Sequence, residues 1–284
     1  GVNAVRPGHV RVFLWNNITT SWTQMGNDLD GESSDDCFGF SVALSSNGMI
    51  LAVGATQPQI FAGYTRLFEW NGTDWSQRGL DLNYFGWSVS LSSDGSIVAV
   101  GSALGYGYVS VFGWYSSTTS WTQMGSTIVG GSSDDHVGKS VSLSSDGSIL
   151  ATGANQALTT ALNPGYCHVY EYNGSGWIQR GQRLQGDQRY DNFGESVALS
   201  ANGSLLIVGA YQHFSGHGYA RIYQYTTSTN RWVQLGQDLF GEARLDYFGF
   251  SVAISGDGSR IAVGAPKSDG NGSSSGHVQA YEFV

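Results

Sequence analysis

The chain has 284 residues, of which 41 are glycine; 12% are charged and the net charge is −9. Apolar residues make up 40%, enough for a core, so a charge-rich disordered chain is excluded. The glycines follow no three-residue period, which excludes collagen, and glycine costs about 1 kcal/mol inside a helix, which argues against a helical bundle.

Lys139 and Lys267 are the two lysines, and no basic patch of the kind that nucleic acid requires is present. No apolar run approaches the roughly 18 residues of a membrane span. The sequence from Gly1 does not read as a signal peptide, so a mature product or a fragment is expected. Cys37 and Cys167 cannot build a disulfide framework and are expected to be free thiols.

In chain order, the first segment runs from Gly8 to an aromatic pair, Phe13 and Trp15, followed by Trp22-x-Gln24-x-Gly26. Next comes Phe38-Gly39-x-Ser41-Val42, a turn at Asn47-Gly48, an apolar run ending Gly54-Ala55, the aromatic pair Phe68 and Trp70, and Trp75-x-Gln77-x-Gly79. This series of four segments recurs. The serines that mark it are Ser41, Ser88, Ser140, Ser196 and Ser251, at spacings of 47, 52, 56 and 55 residues. The segments are called A, B, C and D in the order just given. Each has strand length and is rich in Val, Ile and aromatics. Asp-Gly or Asn-Gly between A and B reads as a tight hairpin, because both positions must tolerate positive φ. Four antiparallel strands per repeat of roughly 50 residues describe a propeller blade. The expected fold class is therefore all-β, a propeller of four-stranded blades. It is one domain over 1–284, with repeat cores at 38–82, 85–128, 137–184, 193–239 and 248–284, plus 8–29.

The chain opens with C and D and ends with A, B and C, giving 21 strands where five blades need 20. Five blades closed by the N- and C-terminal strands are expected, with Gly8–Trp15 and Gly276–Phe283 competing for one place. The surplus strand is a fragment boundary or a peripheral fifth strand. Alternatively, self-assembly by strand exchange through 8–15 or 276–283 would use it for edge addition to a neighbouring molecule.

Phe-Gly-x-Ser-Val, Asp-Gly, Val-Gly-Ala-Pro and Gly-x-Val-x-x-Tyr together resemble the FG-GAP repeat of integrin α-subunit β-propellers, most fully over Gly249–Gly276 with Ala265-Pro266. The resemblance spans essentially the whole chain and implies a propeller. It departs in two respects. The A–B turns carry at most one carboxylate, as in Ser-Gly-Asp-Gly, where integrin-type blades often carry a calcium loop; a calcium cage needs six to eight oxygens. The chain is also too short for the seven blades of integrins.

The A–B and C–D turns share one face, and the B–C and D–A loops share the other. The D–A loops hold 13 of the 22 acids, with Arg189 and Arg244 among them, so an acidic face is expected. Asp36, Asn83, Asp135, Asp191 and Asp246 form a column two residues before the Phe-Gly position, the usual mark of side chains that cap a turn. Glu32, Asp35 and Asp134 are candidates to attract calcium or a cationic partner; no cofactor is otherwise expected. The sequons are Asn17, Asn71, Asn173, Asn202 and Asn271, and all except Asn271 lie opposite the acids.

His9 and His277 occupy one repeat position and read as strand residues. His213 and His217 flank a loop, and a third metal ligand is not evident. Phe40, Trp87 and Phe250 share a column with Lys139 and Glu195 at the mouth of the central channel. Packing is the first reading for the aromatics, sugar stacking the second, and Lys139 is expected to pair with Glu195. The expected function is a non-enzymatic extracellular or cell-surface protein, in adhesion or as a building block of surface filaments, with a protein or glycan partner at the acidic face. The alternatives are a carbohydrate-binding propeller and, behind it, an enzyme-associated propeller domain. No nucleic acid and no membrane span are expected.

Overall fold

The computed structural model describes residues 7–57, 63–156, 163–212, 216–270 and 272–283. It is all-β, and no described residue is helical. The N-terminal segment contributes β1 (His9–Val10), β2 (Phe13–Asn16), β3 (Ser21–Gln24) and β4 (Leu29–Asp30). The first blade is β5 (Ser41–Leu44), β6 (Ile50–Ala55), β7 (Tyr64–Trp70) and β8 (Trp75–Gln77). The second is β9 (Ser88–Leu91), β10 (Ile97–Ser102), β11 (Tyr108–Tyr115) and β12 (Ser120–Gln123), with a short β13 (Ile128–Val129) on β11. The third is β14 (Val137–Leu143), β15 (Ile149–Ala154), β16 (Tyr166–Tyr172) and β17 (Trp177–Gln179), with β18 (Leu184–Gln185). The fourth is β19 (Phe193–Leu199), β20 (Leu205–Ala210), β21 (Tyr219–Thr226) and β22 (Arg231–Gln234), with β23 (Leu239–Phe240). The fifth blade has three strands, β24 (Ser251–Ile254), β25 (Arg260–Ala265) and β26 (His277–Glu282).

The expected five-blade propeller is what forms, with extra strands at the N-terminus. The A–B hairpins form, but only the glycine of each pair takes positive φ, +71° at Gly48 and +70° at Gly147. Asn47 and Asp146 do not, because each turn closes one residue earlier, with Gly48 N donating to Ser45 O at 2.8 Å and Gly147 N to Ser144 O at 2.9 Å. The core lies between blades, where side chains of B and C strands such as Leu150, Leu206, Val208 and Tyr219 are fully buried. Inner strands pack in the order β5, β9, β14, β19, β24. Between blades the backbones nearly touch. A Cβ on Gly153 would lie 1.9 Å from the Gly194 carbonyl oxygen, so the Gly-Ala and Phe-Gly signatures are one steric device seen from two blades.

The surplus strand resolves differently from the expected closure. β26 takes the edge of β25 over six residues, from Arg260↔Glu282 to Ala265↔His277. β2 and β3 form a separate two-stranded sheet, and β1 pairs with β4. This N-terminal unit stays beside the first blade, where Phe38 N donates to Pro7 O at 2.9 Å and Trp75 Nε1 donates to Met25 O at 3.0 Å. The blades therefore form a fan with two distinct ends. One end exposes Trp22, Val42 and Leu44, and the other exposes Phe250, Val278 and Phe283. The physical reason is local: β26 follows β25 in the chain and carries the same Gly-His-Val start as β1.

Candidate functional site

The capping column forms at Asp36, Asp135, Asp191 and Asp246, each accepting from a loop N–H, but not at Asn83, and it is deeper than a turn. Asp135 is 6% exposed. Its Oδ2 accepts from Gly131 N at 2.7 Å, Ser132 N at 3.1 Å and Tyr166 OH at 2.8 Å, and its Oδ1 accepts from Gln156 Nε2 at 2.7 Å. Asp36 repeats the arrangement with Ser33 N, Gln57 and Tyr64, and Asp191 repeats it with Gln188 N, Gln212 and Tyr219. Burial works against ionised Asp36 and Asp135, but the donated hydrogen bonds outweigh it and hold both carboxyls below their ordinary range. Burial and the facing carboxylates push the Tyr64, Tyr166 and Tyr219 phenols up. The Gln and Tyr partners were missed from sequence, although their own repeat columns carried the signal.

The second blade lacks this triad. Its D–A loop runs from Gly79 to Phe85 where the third blade needs Gly125 to Val137, and Asn83 replaces the aspartate. The shortening leaves a cleft of about 730 Å³ lined by Glu32, Asp36, Asp81, Asn83 and Tyr108. Arg66 holds two of the lining carboxylates: its guanidinium grips Asp81 through two bonds of 2.7 and 2.6 Å and reaches Glu32 at 2.7 Å.

The acidic face is therefore less open than its composition suggests. Arg11 pairs with Asp28 at 2.6 Å, and Arg221 pairs with Asp238 at 2.8 Å and also with Asp187. Arg66 and Arg221 come from C strands and Arg11 from the link between β1 and β2, so counting charges loop by loop overlooked them. Glu32, a candidate for calcium, is held by Arg66. Asp35 stands in a left-handed backbone conformation at φ +64°, and Asp134 Oδ1 accepts from Ser133 Oγ at 3.4 Å. Among the described residues no group of three or more His, Cys, Asp or Glu is placed to hold a metal ion.

The inner rim carries the column read as a channel mouth. The Phe40 and Trp87 rings lie 5.0 Å apart, and Lys139 Nζ stands 5.0 Å from the Trp87 ring centroid. Lys139 pairs with Glu195 at 3.2 Å, and Asn155 Nδ2 donates to the other Glu195 oxygen at 2.7 Å. Phe250 packs edge-on to Tyr211 at 5.7 Å. The expected Lys139–Glu195 pair is thus formed, while Phe40 and Phe250 lie at opposite ends of the fan, each more than 40% exposed.

Asn17, Asn71, Asn173 and Asn202 are all exposed. The Oδ1 atoms of Asn71, Asn173 and Asn202 cap their turns, accepting from the backbone N–H groups of Thr73, Ser175 and Ser204. Asn271 and His213 lie outside the described residues. His9 and His277 sit in β1 and β26. Cys37 and Cys167 are free thiols, and burial pushes the Cys167 thiol up. No helix is long and apolar enough to cross a membrane among the described residues.

The FG-GAP repeat family model matches residues 241–281, the end of the fourth blade and nearly all of the fifth. No curated protein matches the chain. Among solved structures it is similar to Kuenenia stuttgartiensis hydrazine synthase, with a TM-score of 0.61 at 11% identity over 90% of this chain and 68% of that one. At that identity the likeness concerns the fold alone.

Proposed function

We propose that this propeller is a non-enzymatic interaction and structural protein working at or outside the cell surface, and that it acts through its two open ends. The observation that carries this reading is the apolar surface gathered there. Val42 is 53% exposed, Trp22 66% and Val278 70%, while within the fan the equivalents of Val42 and Trp22 pack on the preceding blade and those of Val278 on the following one. Large exposed apolar patches on a folded domain mark surfaces that a partner covers. The buried polar groups support a scaffold role, since Asp36, Asp135, Asp191 and Glu195 all hold loops or neighbouring blades in place. Exposed sequons and the shortage of lysine support the extracellular setting.

The acidic face is the secondary contact surface of this reading. The arginine pairs reduce its net field, so its partner recognises shape more than bulk charge.

A photo-crosslinking residue placed at Val42, with a second placed at exposed Leu80 as a control, tests the proposal in the native source. A discrete adduct from position 42 and none from position 80 is expected. No adduct from position 42 overturns the reading.

A further inference from the structure

Successive blades are joined by the same contacts at each internal interface, and one unmatched half of every contact remains at each end. Ser41, Ser88, Ser140 and Ser196 each donate through Oγ to a carbonyl of the following blade, those of Gly86, Gly138, Gly194 and Gly249, at 2.8 to 3.0 Å. Ser251 is exposed and its Oγ has no hydrogen-bond partner among the described residues; the equivalent acceptor is the carbonyl of Gly39, at the other end.

The A–B turns form a relay, from Ser46 N to Ser93 O, Ser93 N to Ser145 O, Ser145 N to Ala201 O and Ala201 N to Gly256 O. It stops at Gly256 N, whose counterpart acceptor is Ser46 O. The indole N–H groups of Trp75, Trp121, Trp177 and Trp232 donate to the preceding blade at Met25, Arg78, Met124 and Arg180. In that series Trp22 corresponds to an acceptor at Leu235, and Trp22 Nε1 has no partner among the described residues.

The place for that indole is present. A Cβ on Gly181 would meet Trp232 at 2.7 Å, whereas one on Gly236 would meet nothing within 4 Å. A small apolar hollow of about 130 Å³ opens there, lined from the fourth blade and β25 by Ile222, Leu235, Gly236, Leu239 and Ile261. Tyr281 and Phe283 of the β26 segment stand on its outer side, where Phe13 and Trp15 are the corresponding aromatics of the N-terminal segment.

We propose, resting on the interaction reading above, that the partner at the open ends is a second copy of this chain, and that β26 is a placeholder. The segment 8–26 of the second copy replaces β26 on β25, inserts Trp22 over Gly236, and brings Gly39 and Ser46 to Ser251 and Gly256. The replacement is chemically matched because both strands begin Gly-His-Val and end aromatic-x-aromatic. Replacement restores a four-stranded fifth blade, since the incoming segment carries its own D strand. The chain's own N-terminal segment is docked on the first blade by Phe38 N to Pro7 O at 2.9 Å, Trp75 Nε1 to Met25 O at 3.0 Å and Asn27 Nδ2 to Asp74 at 2.8 Å, and Trp22 stays exposed there, which favours a second copy as the donor. Blades added in this way continue head to tail, an arrangement that forms filaments when the rotation does not close.

Sedimentation equilibrium of the intact chain and of a chain lacking 276–284 tests the inference. The intact chain is expected to associate with rising concentration, and removing the placeholder is expected to tighten association at least tenfold. In either background Trp22→Ala is expected to weaken association roughly 30-fold, as for a buried interfacial tryptophan, and Ser251→Val is expected to weaken it less. Both residues are exposed in the single copy, so these variants retain the fold. A peptide of residues 276–283 added to the truncated chain is expected to return it to the monomer. Monomers throughout, or association indifferent to both substitutions, overturn the inference. An adduct at position 42 with a different protein, alongside a monomeric chain, removes the self-assembly proposal and leaves the interaction reading standing.

Discussion

Ser196 Oγ donates to the Gly249 carbonyl at 2.9 Å across the boundary between the fourth and fifth blades. One repeat later the same serine, Ser251, points its hydroxyl at no partner among the described residues. The contrast separates the structural worth of the column from its availability for contact. Ser196→Ala is expected to lower unfolding free energy by about 1 kcal/mol, the net worth of a hydrogen bond. Ser251→Ala is expected to change it by less than about 0.5 kcal/mol, as for a surface substitution. Urea unfolding of the two variants checks this.

The glycine pairs predict a sharper contrast. Gly153→Ala drives a Cβ into the Gly194 carbonyl at 1.9 Å, backbone against backbone, so the blades must separate. A loss of about 3 kcal/mol or more is expected, in the range of severe overpacking. At Gly264 the nearest atom, at 2.3 Å, is the rotatable Ser251 hydroxyl, and the next atoms stand beyond 3.5 Å. Gly264→Ala is expected to be tolerated in the single copy. Thermal unfolding at a concentration that keeps the chain monomeric distinguishes the two.

Much of this architecture was legible in the residues. The Phe-Gly, Asn/Asp-Gly and Gly-Ala signatures each report a local demand, a positive φ or a close backbone approach, and local demands survive in a single sequence. Strand order, blade number, the capping role of Asp36, Asp135 and Asp191, and the Lys139–Glu195 pair followed from them. The arginine clamps did not. Arg66 and Arg221 lie on C strands, and their acids lie on D–A loops up to 34 residues away, so the pairing depends on the fold. The terminal strands were ambiguous for a related reason. Gly8–Val10 and Gly276–Val278 are the same tripeptide, and residue types alone do not rank two equal claimants for one edge.

The buried carboxylates predict a pH response. The folded-state pKa values of Asp36 and Asp135 lie below those of the unfolded chain. Their contribution to stability is therefore complete above the unfolded value of about 3.9 and is lost as pH falls through the lower folded values. Asp135→Asn is expected to destabilise by about 2 kcal/mol at pH 7, because the Tyr166, Gln156 and backbone donors lose a charged acceptor. It is also expected to flatten the acid limb of the stability curve below about pH 4. Unfolding curves between pH 7 and pH 2.5 test both statements.

The rim pair makes a separate prediction. Glu195 has a side chain 5% exposed and is held by Lys139 and Asn155. Lys139→Met leaves a buried carboxylate without its cation and is expected to cost about 3 kcal/mol. The double variant Lys139→Met with Glu195→Gln is expected to recover at least half of that loss, which a double-mutant cycle measures. On the same rim, Trp87 has Lys139 over its ring and Phe85 stacked at 6.4 Å. Trp87→Ala is accordingly expected to lower stability and to leave glycan-array binding unchanged. Loss of a specific glycan signal would favour the carbohydrate-binding alternative.

The complementarity of the two ends is tested most directly by disulfide trapping in a Cys37→Ser background. Ser46 and Ser93 meet across an internal blade boundary with their hydroxyls 2.8 Å apart, so a Ser46→Cys, Ser93→Cys chain serves as the intrachain control. Ser46→Cys with Gly256→Cys places one thiol at each end of the relay. On mild oxidation this pair is expected to give covalent dimers and longer ladders on a non-reducing gel, with the yield rising with concentration. A fast-migrating monomer carrying an intrachain bond between 46 and 256, formed equally well at high dilution, would contradict the pairing of ends between copies.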